Sequence, residues 1–171
     1  MNGLLDLRSA QWHLIISPPP KQLLIAIAYL AHTAELIALD CGRRFDSSIV
    51  ARAARGRQEI IDRVKIQRAF TCFEAVKLVE QLPNGTTPIV ILDFLSTFHD
   101  ENVKIQSRKF LLETSIRQFQ RLSHGAGLAV SVYLPPGSPD AIYLFERLQA
   151  AAPRVSSYEM PEKVSSQLSL L

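Results

Sequence analysis

Short apolar runs alternate along this chain with longer stretches of helical period. Residues 13–17, 36–40, 88–92 and 128–134 are near-continuous apolar runs of strand length, and 63–67 alternates in the way of a half-buried strand. Helical patterns lie between them. Residues 22–32 are apolar on nearly every face and predict a buried helix. Asp46-Ser47-Ser48 supplies N-cap chemistry for a helix reaching about residue 54, with Gly56 as its stop. Residues 73–82 place Val76 and Val79 on one face and end at Pro83-Asn84-Gly85, a turn signature. A long helix over 103–123 carries an inner stripe of Leu112, Ile116, Phe119 and Leu122 and stops at Gly125. A last helix over 141–151 precedes a candidate strand over 154–160.

Strands that are apolar on both faces and separated by helices predict a parallel sheet covered on both sides. The expected fold class is therefore α/β, in three layers. With 171 residues the chain is long enough to bury a full core as one domain. That domain is expected to hold its core at about 12–160. The weakly patterned tail, 161–171, reads either as an added edge strand or as disorder.

Composition changes this picture little. Hydrophobic residues make up 47% and charged residues 20%, ordinary for a globular protein. The net charge of +3 is a mild basic bias, compatible with nucleic acid without establishing it. Cys41 and Cys72 are far apart and form no Cys-x-x-Cys or Cys/His cluster, which argues against zinc and for buried thiols in a reducing compartment. His13, His32, His99 and His124 show neither ligand spacing nor a nucleophile partner and read as surface or edge residues. No signal-like pattern opens the sequence, and the longest apolar stretch, 23–31, is short for a bilayer. The expectation is a cytoplasmic protein without membrane contact.

The most informative segment is the turn after the first strand. Strand, turn, Lys21 and apolar helix follow the layout of a phosphate-binding P-loop. Such a loop works because glycines let successive backbone N–H groups point at phosphate oxygens. Here the turn is Pro18-Pro19-Pro20, and proline has no N–H to give.

The ordered series of segments from about residue 12 to 134 resembles the ATPase core of RecA-type recombinases, especially the RadA-like branch. Residues 37–45, Ile-Ala-Leu-Asp-Cys-Gly-Arg-Arg-Phe, are similar to the family's strand ending in Asp-Thr-Glu-Gly-Thr-Phe. Gln67-Arg68-Ala69-Phe70 resembles its Ala-Arg-Ala-Phe segment. Residues 89–93, followed by Ser96, resemble the Walker B strand and the turn after it. Residues 127–132 resemble the strand leading to the phosphate-sensing glutamine. The resemblance implies a RecA-like P-loop NTPase fold, with Lys21 as the remnant of the P-loop lysine and Asp93 as the Walker B aspartate. It also places Gln22 where a Ser or Thr would hold Mg²⁺, Gly42 where the catalytic glutamate would stand, and Pro135 (after Leu134) at the sensing glutamine. Phosphoryl transfer depends on positioned charge and donors. The expectation is a chain without ATP hydrolysis, Mg-ATP binding or cofactor, and with no metal site. A lone Asp93 reads better as a carboxylate hydrogen-bonded to neighbouring backbone than as a metal ligand.

Between residues 43 and 68 lie Arg43, Arg44, Arg52, Arg55, Arg57, Arg63, Lys65 and Arg68, opposed by Asp46, Glu59 and Asp62. Arg52 and Arg55 are expected on one helix face. The segment reads as a phosphate-tracking patch, a solvated surface or a docking face for an acidic partner. If DNA is bound, Arg43, Arg44, Arg52, Arg55 and Arg57 are the candidates. The family's DNA loops fall here on residues 98–104 and 135–140, which carry little positive charge. The functional expectation is a non-catalytic relative serving recombination or repair as an accessory or scaffold. Its partner would be a catalytic RecA-like protein or a second copy of itself, with weak single-stranded DNA binding beside it. The alternative is an enzyme or ligand-binding protein using a remodelled pocket on the same fold.

Overall fold

The strands form one sheet, seen in a computed structural model that describes residues 4–7 and 10–158. They are β1 (His13–Ile16), β2 (Leu36–Asp40), β3 (Val64–Arg68), β4 (Ile89–Leu92), β5 (Leu128–Val132) and β6 (Arg154–Ser157). Their order is β3-β2-β4-β5-β1-β6, and every pairing is parallel. The six main helices are α1 (Pro20–Ala31), α2 (Ser47–Ala53), α3 (Gln58–Asp62), α4 (Cys72–Gln81), α5 (Ile105–Ser123) and α6 (Pro139–Ala151). The predicted three-layer α/β class is thus the observed one.

Successive strand residues point to opposite faces, so each strand feeds two cores. On one face Ile15, Ala38, Val90 and Ala129 meet Leu23, Leu24 and Ile27 of α1, with Val50 of α2 and Ile60 of α3. On the other, Leu14, Leu39, Ile91 and Val130 meet Val76 and Val79 of α4, the α5 stripe and Leu144 and Leu148 of α6. All four predicted stripe residues, Leu112, Ile116, Phe119 and Leu122, are buried. Trp12 packs its ring 5.2 Å from that of Phe119, and Phe94 lies 5.1 Å from Phe119. Burying side chains of this size contributes about 1.5–3 kcal/mol each.

Capping explains most of the boundaries. Asp46 accepts from the Ser48 N–H to open α2, Thr71 accepts from Glu74 N–H to open α4, and Ser138 accepts from Ala141 N–H to open α6. α1 begins at Pro20, earlier than the apolar pattern implied, because proline at the first helical position loses no hydrogen bond.

The structure departs from expectation in several places. Arg55 and Gly56 both take positive φ and end α2, so Arg55 sits in the following turn and does not share a helix face with Arg52. The short α3 and a 3-10 helix over Phe94–His99 were not predicted; neither is long enough to display a period. His13 is no surface residue: it is buried in β1, with Nε2 2.7 Å from Ser156 Oγ. Cys41 and Cys72 are both buried and free, as expected. The tail at 161–171, and the end of the last predicted strand at residue 160, lie outside the described residues. Among the described residues no helix is long and apolar enough to cross a membrane.

Candidate functional site

Lys21 and Asp93 lie at the same carboxyl edge of the sheet, following β1 and β4. They do not follow neighbouring strands, because β5 pairs with both and lies between them. The β1–α1 turn is pinned against β5. Ser17, at φ 55, donates its N–H to Val132 O at 2.8 Å, and Tyr133 Oη donates to Pro18 O at 2.9 Å. Pro18 itself is buried. None of Pro18, Pro19 and Pro20 has an N–H to offer an anion.

Asp40, at the end of β2, is the carboxylate held by backbone. Its oxygens accept from Gly42 N–H at 3.2 Å and from Arg44 and Phe45 N–H at 2.9 Å each. Three charge-assisted bonds of this kind fold the chain after β2 into a tight loop. Arg43 takes positive φ within it.

That loop turns Arg44 back over the sheet. Its Nε donates to Asp93 Oδ2 at 3.0 Å, and its guanidinium lies 4.2 Å from the centre of the Tyr133 ring. Asp93 is therefore held by an arginine side chain and not by neighbouring backbone as expected. The residue sits at φ 53, and its own N–H donates to Ser131 Oγ, which in turn donates to Ile91 O. Asp93 also packs flat against Gly42. A Cβ added at Gly42 would overlap the Asp93 carboxylate and come within 2.6 Å of its Cβ. A glutamate at position 42 and the observed Asp93 are mutually exclusive.

Electrostatics at the edge follow from this packing. Burial pushes the Tyr133 phenol above its ordinary value and Asp93 adds to that, while Arg44 opposes both. Burial, with Asp40 and Asp93 nearby, pushes the Cys41 thiol far up, so it is a neutral packing group and no nucleophile. Among the described residues no group of three or more His, Cys, Asp or Glu side chains is gathered as a metal site requires.

Some of the candidate cations line two cavities, with Lys21 in both. Lys21, Arg43, Arg44 and Arg68 line one open cavity of about 470 Å³, with Asp46 as the acid on its wall. Arg52 lines a second cavity of about 370 Å³ between α1 and α2. Arg57 pairs with Glu59 at 2.8 Å, and neither it nor Arg55 lines either cavity. Asp40, Tyr133 and Ser131 were not singled out from sequence. Only Asp40 carried a signal, as the acid closing an apolar strand.

An all-parallel six-stranded sheet in this order, with helices on both faces, is an α/β fold of the RecA-like kind. The crystal structure of the RadB recombinase is similar to this chain at a TM-score of 0.61. The match covers 90% of this chain and 76% of that one, at 10% sequence identity. No family model matches the sequence. No curated protein matches it.

Proposed function

We propose that this chain is a non-catalytic relative of the RecA-type ATPases, serving DNA recombination or repair as an accessory or scaffold through protein contacts. One observation carries the reading: Asp93, the counterpart of the Walker B aspartate, is engaged by Arg44 and closed against Gly42. A carboxylate so placed is neither open to Mg²⁺ nor beside a water-activating acid. The proline turn, which lacks the N–H groups of a phosphate cradle, supports the same reading. The similarity of fold to a recombinase gives the biological setting, and a RecA-like fold kept without its chemistry still offers surfaces to a catalytic relative or to a second copy.

The test is calorimetry with Mg-ATP, together with a phosphate-release assay. The expected result is no saturable heat and no turnover above buffer. A micromolar dissociation constant lost in Lys21→Ala, or steady ATP hydrolysis, overturns the reading. Light scattering of the chain alone and mixed with a RecA-type ATPase from the same cell then reads the partner: a mixed species is expected for an accessory subunit.

A further inference from the structure

The two cavities beside α1 adjoin, and we treat them as one groove. They share Lys21 and Ile49, and together they run from the end of β3 across the start of α1 and along the space between α1 and α2. Four cations are spaced along it: Arg68, Arg43, Lys21 and Arg52. Arg44 also reaches the wall but is committed to Asp93. Arg68 stands 3.9 Å from Asp40, whose oxygens are already taken by three backbone N–H groups, and keeps half of its side chain exposed. Asp46 is the acid on this wall, and it is bound to Ser48.

Two exposed aromatic rings stand by these cations: Tyr29 lines the second cavity, and Phe70 lies outside the first, beside Arg43. Phe70 is 59% exposed, with the Arg43 guanidinium 5.7 Å from its centre. Tyr29 is also 59% exposed and lies 6.0 Å from the His32 ring in the second cavity. Exposed rings beside a row of cations whose nearby acids, Asp40 and Asp46, are already hydrogen-bonded suit a flexible polyanion that carries flat apolar groups. A single-stranded nucleic acid has that chemistry: phosphates for the cations and bases for the rings. A duplex hides its bases, and an acidic peptide carries a ring only where its sequence supplies one, whereas a single strand presents a flat base with every phosphate.

We propose that the α1–α2 groove is a single-strand binding track, with Arg68, Arg43, Lys21 and Arg52 on phosphates and Phe70 and Tyr29 stacking bases. This deepens the recombination setting proposed above by naming the surface that touches the strand. It moves that contact away from Arg44, Arg55 and Arg57 and onto Lys21 and Arg68.

The experiment is fluorescence anisotropy with a labelled thymidine oligonucleotide, titrated without nucleotide at stepped salt, beside a duplex of equal length. Saturable binding is expected for the single strand, weakening steeply as salt rises. Phe70→Ala and Tyr29→Ala each weaken it about tenfold. Lys21→Ala and Arg68→Ala each lower the slope of log affinity against log salt by about one. Arg55→Ala with Arg57→Ala leaves binding and slope unchanged. No binding at low salt overturns the track, as does equal affinity for the duplex. So does an equal loss in the Arg55 and Arg57 double variant, or displacement of the strand by polyglutamate as readily as by unlabelled strand. None of these outcomes alters the Mg-ATP measurement, so failure of the track and failure of the non-catalytic reading are told apart.

Discussion

A side chain at position 42 would need the space that the Asp93 side chain fills, and this is the sharpest statement the structure makes about a single residue. Gly42→Ala must push the Asp93 carboxylate aside, loosen its bond to Arg44, or shift backbone. Overpacking of this kind costs about 1–3 kcal/mol. Urea unfolding measures it, and a wild-type midpoint would mean that Asp93 swings away freely. A second residue-scale expectation concerns pH. Burial holds His13 below its ordinary value, Arg154 adds to this, and Asp6 opposes it; burial does the same to His99. The unfolded chain therefore takes up protons first as pH falls below about 6.5, while the native state does not. Stability is full above that pH and declines as pH drops towards the depressed native values. Unfolding midpoints are expected to fall between about pH 7 and pH 5, less so in His13→Gln; a flat profile contradicts this. The position of Asp93 was legible in sequence, but its partner was not. Arg44 lies 49 residues away, and only the fold of the loop that Asp40 organises brings it there. The absence of N–H groups at Pro18, Pro19 and Pro20 was legible because it is a property of the residue type.

At the scale of elements, apolar runs and caps located every strand and the long helices. The segments without a run long enough to show a period escaped. The 3-10 helix over Phe94–His99 is one, and its anchor is Arg108 on α5, a cation at a position the helical stripe left unassigned. Arg108 is buried at 3% exposure. It donates to Val103 O at 2.9 Å, to Phe98 O at 3.3 Å and to Asp140 at the start of α6 at 3.2 Å. Three elements thus meet on one guanidinium. Replacing it by Leu takes the donor from the buried Phe98 carbonyl and the part-buried Val103 carbonyl, a loss of about 1–3 kcal/mol. Thermal unfolding of Arg108→Leu is the check, and Arg117→Leu, exposed on the same helix, is the control expected to change little.

For the whole molecule, the order of strands decides which residues can cooperate. β5 between β1 and β4 keeps Lys21 and Asp93 on one edge without making them neighbours. Placing β2 and β3 at one side of the sheet sets Arg43 and Arg68 beside the start of α1, which creates the groove. The sequence foretold the layers and the parallel sense of the sheet. It did not foretell the groove, because the run of arginines after β2 is contiguous only in sequence. Folding divides it, turning Arg44 inward, Arg43 and Arg52 onto the cavities, and Arg57 towards Glu59.

The contacts around Arg44 also have a dynamic meaning. Asp93 follows β4, Arg44 follows β2, Tyr133 follows β5 and Pro18 follows β1, and each holds the next by a bond or a ring contact. Four loops that would fray separately are threaded on one guanidinium and one phenol. Local opening of any one of them breaks a contact belonging to another, so their openings are coupled. This edge of the sheet is a clasp, in which Arg44 and Tyr133 tie four loops to one another.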